Sequence, residues 1–288
     1  MNKCALCHKS KILRDSHIFP KFVFKWMKKT GSGNFRIPTS VNIRRQDGPT
    51  KKLLCDTCEG IFGVHETWFS KNLFHPILNE MLKNDGNVSS DYNYNEHFYK
   101  FSISLLWRIL LVNIESGDYP KEYSKKLHEV LEDWRLFLLN DIYPSSCDNI
   151  HYLIIDISHD FDNKPENFDF YLARATDGTI GHGGNRLMVY TKIARFVIFA
   201  QLNGFNENDY KNTKISPIKG NVIQPQYVKD GEMGSFIISR VEDYNKHSSN
   251  LSEKQISKIE EMANKEMDKL YGSDLHRAMS NQSKKDTQ

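Results

Sequence analysis

Cys4-Ala5-Leu6-Cys7 and Leu53-Leu54-Cys55-Asp56-Thr57-Cys58-Glu59 decide how this chain reads. Each Cys-x2-Cys pair turns two sulfurs onto one point, and two such pairs supply the four soft ligands of a tetrahedral structural Zn²⁺ site. The 47 residues between Cys7 and Cys55 exceed a compact ribbon, so an intervening hairpin or insertion is needed to bring the pairs together. A knuckle, a hairpin and then a helix carrying the second pair, ending near Phe74, is treble-clef order. Cys147 stands apart and reads as a core thiol.

Outward from this frame, the 288 residues allow two domains or one large one. With 39% hydrophobic and 12% aromatic residues, the chain is neither disordered throughout nor a disulfide-stapled mini-protein. Its longest mainly apolar run, Phe101 to Ile114, is 14 residues long and contains Arg108. A membrane span needs about 20, so no membrane contact is expected. The first ten residues show no apolar stretch after their charges. Together with five cysteines, this predicts a reducing compartment, the cytoplasm.

Charge is uneven. Residues 1–75 hold 14 Lys and Arg against 5 Asp and Glu, a surplus of +9, which leaves −6 for the rest of a chain whose net charge is +3. A basic head on an acidic body predicts phosphate contact at one end. Lys21-Phe22-Val23-Phe24-Lys25-Trp26-Met27-Lys28-Lys29 has the spacing of a short amphipathic helix, and Arg44-Arg45-Gln46-Asp47-Gly48 reads as a hairpin tip. Lys21, Lys25, Lys28, Arg44 and Arg45 are the expected nucleic-acid contacts, with binding that weakens steeply in salt.

The chain divides into a zinc-bound segment (1–83), a polar linker (84–95), a second domain (96–271) and a frayed tail (272–288). In the second domain, Glu96–Glu115 has helical spacing, and Gly117 and Pro120 punctuate before another helix to about Asn140. Tyr152–Ile157, Phe168–Ala173, Arg186–Thr191 and Arg195–Leu202 read as short strands of an antiparallel sheet. Residues 203–232 look irregular, and Leu251–Leu270 reads as an amphipathic closing helix. The fold class is therefore α+β: an N-terminal zinc-bound treble clef, then a helical hairpin packed on a small antiparallel sheet. Thr179-Ile180-Gly181-His182-Gly183-Gly184-Asn185 lacks the ending of a phosphate-binding loop and reads as a β-turn. Asp156, His159 and Asp160 read as a polar turn.

Cys4-Ala5-Leu6-Cys7, then Asp15-Ser16-His17-Ile18-Phe19-Pro20, then Leu54-Cys55-Asp56-Thr57-Cys58-Glu59, in that order, resemble the HNH (His-Me finger, ββα-metal) endonucleases across residues 4–70. The resemblance implies metal-dependent hydrolysis of DNA phosphodiester bonds. His17 would be the general base, the cysteines would hold structural zinc, and one Mg²⁺ or Mn²⁺ near the helix start would stabilise the leaving oxygen. A neutral imidazole is a competent base near neutral pH.

Three positions depart from the family. Ser16 stands where the family has Asp, although Asp15 shares a strand face with His17. Glu59 replaces a His and offers a hard oxygen ligand. Thr50 occupies the place of an Asn, which Asn42, Gln46 or Asp47 could fill if the hairpin folds back. His65 and Glu66 lie seven residues beyond Cys58 and Glu59, on roughly the same helix face, and are further candidates.

The resemblance also fits bacterial conflict roles such as phage defence, with DNA, or else RNA, as partner. The second domain would then sense, dock a protein or pair with a second copy. Two other readings stand beside this one. The first is a non-catalytic nucleic-acid-binding module that only displays cations; the second is a zinc-stabilised protein-interaction subunit.

Overall fold

The structure is a computed structural model and describes residues 2–31, 35, 41–89, 92–143, 148–157, 164–248, 250–265, 271, 273 and 275–278. Cys147, His159, Asp160 and the end of the helix expected to reach Leu270 lie outside the described residues. Strands β1 (Asn2–Lys3) and β2 (Ser10–Lys11) form a short ribbon around the first cysteine pair. Strand β3 (Leu13–His17) pairs antiparallel with β4 (Thr50–Cys55), setting His17 opposite Thr50 and Leu13 opposite Cys55.

Between those strands, α1 (Lys21–Lys29) starts directly after Pro20, a residue preset for a helix entrance. It buries Val23, Phe24, Trp26 and Met27. Strand β4 runs straight into α2 (Asp56–Phe69), which passes through a π-helical turn at Ser70–Phe74 into α3 (His75–Lys83). Asp56 and Glu59 in the first turn of α2 favour its positive end.

Strand β5 (Asn93–Asn95) leads into α4 (Glu96–Ser116), whose first turn is capped by the Asn95 side chain accepting from the His97 amide. Helix α4 is apolar on nearly every side and is accordingly buried on nearly every side. Gly117, at φ 78°, ends it in the left-handed conformation that glycine takes without strain. Helix α5 (Ser124–Asn140) packs on α4.

Strands β6 (Ile150–Ile154), β7 (Thr176–Gly183), β8 (Arg186–Ile193) and β9 (Phe196–Asn203) form one antiparallel sheet in the order β6-β9-β8-β7. Val189, Ile198 and Ala200 face the core shared with α4. On the other face, Met188, Tyr190, Val197 and Phe199 pack under Met233 and Phe236.

Two expectations change here. Phe168–Ala173 is not a strand; it lies in helix α6 (Phe168–Arg174). The sheet's outer strand is instead Thr176–Gly183, so the glycine-rich stretch is mainly strand and turns only at Gly184-Asn185, with Gly184 at φ 57°.

Residues 203–232 contain three short strands, β10 (Tyr210–Lys211), β11 (Lys219–Asn221) and β12 (Tyr227–Val228), with β11 paired to β5. Helices α7 (Gly231–Ser248) and α8 (Glu253–Lys265) follow. Within the stretch expected to fray, residues 275–278 form a helical turn. Ala278 is buried beside Tyr171 and Val241.

One continuous apolar cluster runs from Cys4 and Leu6, through Phe62, Phe69 and Phe74, to Phe101, Trp107 and Phe196. Phe69 of α2 stacks on Phe101 of α4 at 4.0 Å and meets Phe196 of β9 edge-on at 5.3 Å. The N-terminal segment is thereby seated on the body of the protein. No helix among the described residues is long and apolar enough to cross a membrane.

Candidate metal centre and active site

The first cysteine pair is bent into place by its own backbone. The Cys4 amide donates to the Lys9 carbonyl at 3.0 Å, the His8 amide donates to the Cys4 carbonyl at 2.9 Å, and His8 takes φ 59° to close the turn. A Leu53 carbonyl accepting from Ala5 at 3.0 Å ties this turn to β4. Arg135 of α5 donates to the Leu6 carbonyl at 2.7 Å and anchors the turn to the body. The second pair straddles a strand-to-helix joint, with Cys55 ending β4 and Cys58 in the first turn of α2.

The four sulfurs lie within 4.8 Å of one another, and Cys7 Sγ is 3.9 Å from Cys55 Sγ. A tetrahedron with Zn–S bonds of about 2.3 Å has edges of about 3.8 Å, so the donor set fits a single zinc ion. All four thiols are free of disulfides. Burial pushes the Cys55 thiol up, but the Cys58 amide and the neighbouring sulfurs outweigh that and bring it down to about 7. Burial and those same neighbours push Cys58 up.

His17 ends β3 opposite Thr50, at the other end of the β3–β4 pairing from Cys55. Its ring Nε2 lies 3.0 Å from Asp47 Oδ1, and Lys21 Nζ lies 3.2 Å from Asp47 Oδ2. The segment before β4 has therefore folded back, and of Asn42, Gln46 and Asp47 it is Asp47 that reaches the histidine. Burial raises Asp47, but His17, the Gly48 amide and Lys21 outweigh it and hold the carboxyl below its ordinary range. With Nε2 facing the carboxylate, Nδ1 is the ring nitrogen turned away from Asp47.

The other candidates separate. Ser16 is 2% exposed and its Oγ accepts from the Leu54 amide at 3.1 Å, so it latches β3 to β4 from the interior side. Asp15 faces the surface and pairs with Lys52 at 2.9 Å. Glu59 is half-buried in the first turn of α2, with Oε1 buried and without a hydrogen-bond partner among the described residues. His65 turns to α4, its Nδ1 2.8 Å from His97 Nδ1. Glu66 pairs with Arg108 at 2.8 Å. Among the described residues, only the four cysteines bring three or more metal-binding side chains together. Asp15, His17, Glu59 and His65 form no such set.

The five basic residues also divide. Lys25 is exposed on α1. Lys28 donates to the Gln46 carbonyl at 2.6 Å and, with Lys21, braces the turn that carries Asp47. Arg44 reaches the Lys258 carbonyl of α8 at 3.4 Å, and Asn42 holds the start of α8 through Asn250 and Ser252. Arg45 pairs its backbone with Phe35.

His97 and the working partners of Arg108 were not foreseen. An arginine inside a 14-residue apolar run was the available signal, because a buried guanidinium must find acceptors. No family profile, no curated protein and no solved structure matches this chain.

Proposed function

We propose that the N-terminal segment is a zinc-stapled ββα nuclease unit of treble-clef type that hydrolyses DNA phosphodiester bonds. The observation that carries this reading is the His17–Asp47 pair at the end of β3, on the strand pair whose second strand leads into the helix that bears Cys58 and Glu59. In it, the structural zinc fixes the β4–α2 joint, Asp47 orients the imidazole, and His17 Nδ1 takes the proton of the attacking water. Glu59 is the chain's carboxylate for a divalent cation, and its unpartnered buried oxygen supports that assignment. Mg²⁺ and Mn²⁺ commonly take only one or two protein carboxylates, with water and substrate phosphate completing the shell. When bound, the cation would neutralise charge on the leaving oxygen. Lys25, exposed on α1, supplies a cation for phosphate contact.

The test is a nicking assay on supercoiled plasmid with Mg²⁺ or Mn²⁺, run alongside zinc analysis. His17→Ala is expected to abolish nicking with zinc content and DNA retention unchanged. Asp47→Asn is expected to slow it by about 10²-fold, within the range for an impaired general base. Metal-dependent nicking by His17→Ala at the parental rate would falsify the assigned base. DNA retention without nicking by the parent protein would instead favour the binding-only module.

A further inference from the structure

We propose that Arg108 is a positioning residue for the candidate base, holding the His17 backbone so that the ring meets Asp47; this rests on the reading of His17 as that base. Arg108 lies in the middle of α4 and is 3% exposed. Its Nη1 donates to the His17 carbonyl at 2.8 Å, and its Nε donates to the Ser104 carbonyl at 3.2 Å. Nη2 lies 2.8 Å from Glu66 Oε1, and the guanidinium sits over the Phe62 ring at 5.4 Å. One side chain thus joins β3, α2 and α4.

A leucine or methionine would fill this place in the core without burying a charge, and such replacements of buried ion pairs are often neutral or stabilising. What an apolar side chain cannot do is fix a carbonyl and a carboxylate at once. A planar fork with five N–H donors can. The other side of the same peptide is held from the segment just before β4, where the Ile18 amide donates to the Pro49 carbonyl at 3.1 Å. His17 is therefore gripped at its carbonyl by Arg108 and at Nε2 by Asp47. Glu66, a candidate ligand by sequence, acts in this arrangement as the counter-charge that keeps the fork aimed.

Two variants test the assignment in the full chain. Arg108→Lys keeps the charge opposite Glu66 but loses the fork. The pair Arg108→Met with Glu66→Gln removes both charges and strands neither. Zinc content, duplex affinity, single-turnover cleavage and the ¹⁵N-histidine ring resonances of His17 are read for each. Both variants are expected to keep zinc and duplex affinity, to move the His17 ring resonances toward those of Asp47→Asn, and to cleave about ten- to a hundredfold more slowly, as small misplacements of a reacting group do. The resonances need no turnover: if the parent does not cleave, the nuclease reading falls while the positioning claim is still decided. His17 resonances that superimpose on the parent's overturn the proposal. So does cleavage within about twofold of a cleaving parent, or loss of zinc or folding in both variants, which would make Arg108 a structural residue.

Discussion

His65 and His151 are imidazoles that the fold keeps neutral. Burial, reinforced by His97 and Lys100, holds His65 down to about 4, and burial with Lys214 does the same to His151. In the unfolded chain both take a proton below the ordinary value of 6.5. Between 6.5 and about 4 the unfolded state therefore binds more protons than the folded one, and stability falls as pH falls through that window. At about 1.4 kcal/mol per unit, each histidine contributes up to roughly 3 kcal/mol of acid sensitivity. Asp47 is shifted down as well and so acts in the same direction, but its contribution is lost only below its ordinary 3.8, so the two effects separate in pH. Urea unfolding followed by tryptophan fluorescence should show a lower midpoint near pH 5 than near pH 7. A flat profile over that range would mean that these two rings are protonated, or solvated, in the folded state. Neither partner set was legible beforehand: a histidine's chemistry is local, whereas its burial depends on residues as distant in sequence as His97 and Thr213.

At the scale of elements, the joint between β4 and α2 combines strand end, helix start and cysteine cluster in a few residues. Cys55 closes the strand, precedes the helix with extended dihedrals, donates its amide to Cys4 Sγ at 3.3 Å and offers its own sulfur as a ligand in the four-cysteine cluster. Cys55→Ser removes that ligand, and ligand binding here is also folding free energy. Zinc should fall well below one ion per chain, and a stability loss of about 4 kcal/mol corresponds to a thermal midpoint lower by roughly 10 °C. Chelation of the parent protein should give the same shift, reversed by added zinc. A full complement of zinc in Cys55→Ser would show that the ion sits elsewhere.

These elements were readable because their signals are local. Cys-x2-Cys spacing fixes a turn, the spacing of Lys21–Lys29 marks a short amphipathic helix, and the β3 alternation puts Asp15 and His17 on the face away from Ser16. Phe168–Ala173 misled because a six-residue apolar and aromatic run has too little length to reveal a helical period. Thr176–Gly183 was missed for the converse reason: its glycines weaken any intrinsic strand preference, and pairing to β8 supplies what the residues lack. Gly178 and Gly181 are small where Ile109 and Met188 press against the strand, a requirement visible only once the partners are placed.

Over the whole molecule, the segment with the four-cysteine cluster and the body share one interior. Phe22 packs edge-on against Phe74 at 4.9 Å, Phe62 meets Trp107 at 5.8 Å, and Phe69 lies between Phe98, Phe101 and Phe196. Removing residues 84–288 would expose these rings, and fully burying one large apolar side chain is worth about 1.5–3 kcal/mol. The sulfur cluster alone would then have to order a segment whose largest apolar face has lost its cover. Residues 1–83 alone are therefore expected to bind zinc yet to show poor chemical-shift dispersion or to self-associate. The full chain is expected to lose zinc and tryptophan burial together, in one transition along a urea series. A well-dispersed, monomeric spectrum from residues 1–83 would instead make the segment autonomous. Its clamp to α4 through Arg108 would then be a docking contact between two folded bodies rather than part of a single cooperative unit.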